Sequence, residues 1–224
     1  MDILVAALIG GYRYCRGSLA VDGFHRKGYS RLIMNSSRPG FNAISDKVGF
    51  LSLDLQMSAW QAREICEVAA LYGTLAISTL KDGLTVPEES LPQRCKDWGC
   101  GGSAIDFLAL ASALLARAVD SLDNADTGLD AIFEERTKQL AKWPLEHDLE
   151  HPPLEIPIAA TLYAAAAGEQ LRGTSVAVSS QWPWQPEEWH LEEDPRDTII
   201  KAGALFAAAV ERELSVNPPL QNAA

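Results

Sequence analysis

Apolar and polar positions along this chain change rhythm about half-way. Between Gly28 and Met57 the spacing favours strands: Leu51, Leu53, Leu55 and Met57 alternate with Ser52, Asp54 and Gln56, a period of two that buries one face. Two earlier segments, 30–35 and 41–44, flank Ser37-Arg38-Pro39-Gly40, whose Pro-Gly pair suits a turn. The pattern predicts a short antiparallel meander. Ser58 then opens a helix with Gln61 at capping-box spacing, Ile65, Val68, Ala69 and Leu71 give its apolar face, and Gly73 closes it. Residues 74–80 read as a further strand.

From Lys81 to Gly102 the periodicity lapses among Gly83, Pro87, Pro92 and a Gly-Cys-Gly-Gly run, which marks a domain boundary. Helical spacing follows. Ser103 with Asp106 caps an Ala/Leu-rich run to about Leu122, and Asp126 or Thr127 opens a second helix that ends near Trp143-Pro144. A third runs from about Pro157 through the alanine tract to Gly168, and a fourth from Asp194-Pro195 to about Leu214. Small residues at 164–167 and 207–209 let helix axes approach closely, leaving the aromatic side chains to supply much of the buried area. The expected fold is therefore α+β: a small antiparallel β-meander plus helix over 1–100, an α-helical bundle with a Trp-rich loop over 101–216, and a tail over 217–224. Helix faces of this kind pack equally well within one chain or across a homodimer.

Charge adds an asymmetry. Residues 1–100 carry 11 Lys/Arg against 10 Asp/Glu, whereas residues 101–224 carry 8 against 20. A field this negative repels nucleic acid and attracts basic protein surfaces. No apolar stretch reaches the ~18 residues a membrane span needs, and the opening Met1-Asp2 lacks the positive flank of an export signal. The reading is a cytoplasmic chain with no membrane and no direct nucleic-acid partner. The four cysteines, Cys15, Cys66, Cys95 and Cys100, then read as reduced thiols. Cys95 and Cys100 with Cys15, Cys66 or His25 offer only a weak zinc pattern.

Two segments concentrate candidate chemistry. In the first, His147, Asp148, His151 and Glu155 could gather a divalent cation if the chain turns helically there, although Pro152 and Pro153 interrupt such a helix. The competing reading is of polar residues that fasten helix ends, with no cofactor. In the second, Trp182, Trp184 and Trp189, stiffened by Pro183 and Pro186, could build a stacking wall for a ligand or fold back over the bundle. Arg196 and Lys201 could hold phosphate or pair with nearby carboxylates. Phosphate-loop, dinucleotide, nucleophile-elbow and zinc-protease motifs are absent from the sequence.

The residues from Glu135-Arg136 through Gln139, Lys142-Trp143, Glu146-His147-Asp148, His151, Glu155 and Tyr163-Ala164, then Trp182-Pro183-Trp184, Trp189, Arg196-Asp197 and 200–205, resemble a domain of uncharacterised phage and prophage proteins over about residues 130–214. Pro144 stands where members of that family place a glycine. The resemblance implies an accessory protein working in the cytoplasm of an infected bacterium. Within that setting the expected function is to bind and inhibit a host protein, such as a defence or CRISPR component, with Glu187, Glu188, Glu192, Glu193 and Asp194 as the acidic surface and no enzymatic step. The alternative is a metal-dependent nucleotide-binding or nucleotide-hydrolysing helical protein, by loose analogy with MazG-like pyrophosphohydrolases. Their paired E-x-x-E and E-x-x-D carboxylate motifs are not recognisable here.

Overall fold

A computed structural model describes residues 38–52, 60–91 and 93–218. The described chain runs α1 (Pro39–Ser52), α2 (Ala62–Asp82), a 3-10 turn (Glu88–Ser90), α3 (Gln93–Asp97), α4 (Ala104–Asp123), α5 (Gly128–Lys142), α6 (Leu145–Glu150), α7 (Glu155–Leu171), a second 3-10 turn (Pro186–Glu188) and α8 (Pro195–Val216). There is no strand among the described residues. The expected α+β fold is thus corrected to an all-helical bundle.

The correction has a local cause. Pro39-Gly40 opens α1 rather than turning a hairpin, because proline at a first helical position gives up an N–H that would lack a partner anyway. Phe41, Ile44, Val48 and Leu51 then fall at helical spacing, and all four are buried. The alternation at Leu53, Leu55 and Met57, the segment 30–35 and the Ser58 cap lie outside the described residues. α2 begins instead at Gln61, whose backbone N–H donates to Glu64 Oε2 at 3.1 Å. It passes straight through Gly73 and residues 74–80, and stops at Gly83, which adopts φ +64° and bonds back to Thr79 O.

Gly73 serves packing instead of termination. A Cβ there would come within 2.8 Å of Phe206 Cζ on α8 and meet Thr161 on α7 as well. Close approach of this kind lets α2, α4, α8 and α7 form a ring, each packed against the next. α4 is the most enclosed: every side chain from Phe107 to Leu115 is buried. Its Ser112 hydroxyl donates to Gly203 O of α8 at 3.0 Å, inside the core. α1 lies across α4 and α8, while α5 and α6 cover the far side of α8. One apolar cluster takes in Ile44, Ile65, Trp98, Leu114, Tyr163 and Phe206, from both sides of the 81–102 stretch.

The C-terminal helices follow their sequence signals. Ser103 Oγ accepts Asp106 N–H at 3.1 Å while Asp106 Oδ2 takes the Ser103 hydroxyl at 2.7 Å. Asp194 caps α8 by accepting Arg196 N–H at 2.8 Å, with Pro195 at the first helical position. Each such cap is worth about 1 kcal/mol. A charged clasp joins α5, α6 and α8: Arg136, only 1% exposed, sits 2.5 Å from Asp148 and 2.9 Å from Glu211. None of the helices spanning described residues is long and apolar enough to cross a membrane.

Candidate functional site

The segment between α7 and α8 has almost no regular structure, so its backbone must be held by other means. Trp182, buried to 9% exposure, is the centre. Its ring meets Tyr163 at 5.4 Å, Trp184 at 5.0 Å and Trp189 at 4.8 Å, all edge to face, and its Nε1 donates to Gln185 O at 3.0 Å. Trp189 lies flat on Tyr163 at 4.7 Å, and the Tyr163 hydroxyl accepts His190 N–H at 3.2 Å. Lys201 adds a clamp from α8, donating to His190 O and Glu192 Oε1, both at 2.8 Å, with its ammonium 5.0 Å above the Tyr163 ring. Gln170 Nε2 holds Glu192 O at 2.8 Å. The tryptophans therefore fold back onto the bundle, spending their faces on one another.

This fixed loop carries Glu187, Glu188, Glu192, Glu193 and Asp194 outward, all five exposed. Three have local duties: Glu188 accepts Gln185 N–H at 3.0 Å, Glu192 pairs with Lys201, and Asp194 caps α8. Glu187 and Glu193 point to solvent without a partner among the described residues.

The first candidate cluster divides. His151 Nδ1 lies 2.9 Å from Glu155 Oε2, and the same oxygen accepts Trp184 Nε1 at 3.1 Å. His147 packs edge-on to His151 at 4.9 Å, and its Nδ1 is buried without a partner among the described residues. Trp143, half exposed beneath the Lys142 ammonium at 4.0 Å, continues the aromatic row. Asp148 turns the other way, into the Arg136 clasp. Hence His147, His151, Glu155 and Trp184 come together and Asp148 does not. Among the described residues, no three His, Cys, Asp or Glu side chains are grouped to hold a metal ion. Cys15 and His25 lie outside the described residues. Cys66 is sealed in the core, where desolvation pushes its thiol up to about 12.

Arg196 and Lys201 are both committed. Arg196 grips Asp123 through two bonds, 2.8 and 2.7 Å, and reaches Asp197 at 3.5 Å. The bidentate bond from Arg196 holds the Asp123 carboxyl below its usual range and raises Arg196 in turn. With Asp194 and Asp197 already at the start of α8, that end is unfavourable for a phosphate.

No family model matches the chain, and neither a curated protein nor a solved structure matches it.

Asp123 and the Arg136 clasp are the functional-region residues that the sequence reading passed over. Arg136 belongs to the resembling pattern, yet its partners lie twelve and 75 residues away, across Pro144 and two helices, which no local spacing announces. A surface depression of about 320 Å³ at the end of α4, lined by Trp60, Arg117, Asp120, Asn124 and Asp126, stands apart from the tryptophan loop. Desolvation raises the Asp120 carboxyl there.

Proposed function

We propose that this chain is a non-enzymatic accessory protein that binds a basic surface on another protein, occluding it, through the acidic loop at 187–194. The observation that carries the reading is the combination of five exposed carboxylates with a backbone fastened by the Trp182–Tyr163–Trp189 cage and the Lys201 and Gln170 bonds. A loop already fixed in place loses little conformational freedom on docking. Concentrated negative charge speeds encounter with a positive partner and rejects nucleic acid. The pattern over residues 130–214 supplies the setting, a phage accessory factor acting on a host protein.

The nucleotide alternative draws less support. Its carboxylate Asp148 is neutralised by Arg136, its tryptophans stack on one another, and its cations Arg196 and Lys201 already hold carboxylates.

The test is salt-dependent capture from bacterial lysate on the immobilised chain, beside a Glu187→Lys/Glu193→Lys variant that leaves every loop hydrogen bond in place. The proposal expects the native chain to retain a basic protein that moderate salt releases and the variant does not retain. Capture of the same protein by both chains would contradict it.

A further inference from the structure

Cys95 in α3 and Cys100 just beyond it are brought together by a tight reversal of the backbone. Gly99 N–H donates to Lys96 O at 2.8 Å, Cys100 N–H donates to Cys95 O at 3.0 Å, and Gly99 takes φ +66°, which suits a residue without a Cβ. That reversal sets both cysteines on one turn, with Tyr72 and Lys47 acting on the Cys95 thiol. Both sulfurs are shielded, Cys95 at 1% and Cys100 at 4% exposure, but Asp97 and Gly101 on the same turn are exposed. The pair therefore lies just beneath the surface.

A buried cation faces this turn. Lys47 of α1, 8% exposed, donates to Gly99 O and sits 2.8 Å from Asp106 Oδ1. The surroundings split the two thiols. The Cys100 S–H, then the Tyr72 hydroxyl and the Lys47 charge, hold Cys95 below the ordinary thiol value against desolvation. Donating that same bond, together with burial, pushes Cys100 up. Cys66 is raised instead, by desolvation first and by the Glu67 charge second. One low thiol beside one high thiol is the division of labour that separates an attacking sulfur from a resolving one.

We propose that Cys95 and Cys100 form a redox-active dithiol whose oxidant is a hydroperoxide, with Cys95 as the attacking sulfur and Cys100 as the resolving one. Cys95 thiolate attacks the terminal peroxide oxygen: an S–O bond forms, the O–O bond breaks, and the departing alkoxide or hydroxide takes up a proton. Cys95 is then a sulfenic acid, oxidised by two electrons while the peroxide is reduced. Cys100 gives up its proton and attacks the Cys95 sulfur; the S–S bond forms, the S–O bond breaks and water leaves. In sum, two thiols and one hydroperoxide give one disulfide, one alcohol or water, and one further water.

The experiment treats the reduced full-length chain with hydrogen peroxide and maps the products by non-reducing peptide mass spectrometry. The expected product is a dithiothreitol-reversible Cys95–Cys100 bridge, formed about tenfold faster than Cys66 is modified. In Cys100→Ser a sulfenic acid accumulates at Cys95 and is trapped by dimedone; in Cys95→Ser, Cys100 stays unlabelled. No bridge at a peroxide dose that oxidises the urea-unfolded chain would overturn the proposal, as would dimedone labelling of Cys100 in Cys95→Ser at the rate of Cys95 in Cys100→Ser. The bridge mapping needs only the native chain, so the proposal stays testable even where a serine variant folds poorly.

Discussion

α4 and the loop from 172 to 194 are held in place by opposite means. In α4 the backbone satisfies its own hydrogen bonds, so alanines suffice at Ala109, Ala111, Ala113 and Ala116, and neighbours fit by close approach. In the loop the only regular piece is the Pro186–Glu188 turn, and position is set by ring on ring and by side chains that reach backbone carbonyls: Trp182 to Gln185, Lys201 to His190, Gln170 to Glu192. The consequence is functional. A helix can present only every third or fourth residue on one face, whereas the caged loop displays five carboxylates within eight positions.

The comparison can be broken at graded cost. The largest effect belongs to the helical frame: Arg136→Ala takes the ion-pair partner from buried Asp148 and leaves Glu211 only its longer contact with Arg38 at 3.8 Å, and should cost about 3–5 kcal/mol in denaturant unfolding. Next comes the cage. Trp182→Ala should cost about 3 kcal/mol and, unlike a frame substitution, should raise amide exchange selectively across 182–194 while α4 keeps its protection. Equal deprotection of α4 would show that loop and frame are not separately held.

Asp123→Asn tests the join between α4 and the start of α8. The folded Asp123 carboxyl lies below its unfolded value, so the stability from its bond with Arg196 is fully present above the usual carboxylate pKa of about 3.9 and is lost as pH falls through the folded value. The substitution should cost about 1 kcal/mol at neutral pH, and the gap between the two chains should close as pH falls through the lowered Asp123 value. A gap independent of pH would remove the ion pair from the account. The smallest effect is at the rim: Glu187→Lys with Glu193→Lys should change stability by less than about 0.5 kcal/mol.

The same contrast explains what could be read from the sequence. Helices α4, α5, α7 and α8 announced themselves through Ser103 with Asp106, Thr127, the alanine tract and Asp194-Pro195, because caps and helical periodicity are local signals. α1 did not, since Pro39-Gly40 serves a turn or a helix start equally well and Leu51 invited an alternation that the spacing of Phe41, Ile44 and Val48 overrides. Gly73 read as a stop because its reason for being glycine is Phe206, on another helix. In the candidate cluster, His151 with Glu155 was legible at four-residue spacing. The inward turn of Asp148 was not, being set by Arg136 on a preceding helix.

The most direct measurement of the central claim is calorimetric affinity for the captured basic protein, compared between the native chain, Glu187→Lys/Glu193→Lys and Trp182→Ala. The account predicts that both variants bind at least about tenfold more weakly, a loss of about 1.4 kcal/mol, with the melting temperature lowered only in Trp182→Ala. Native affinity in the charge-reversed chain would contradict it.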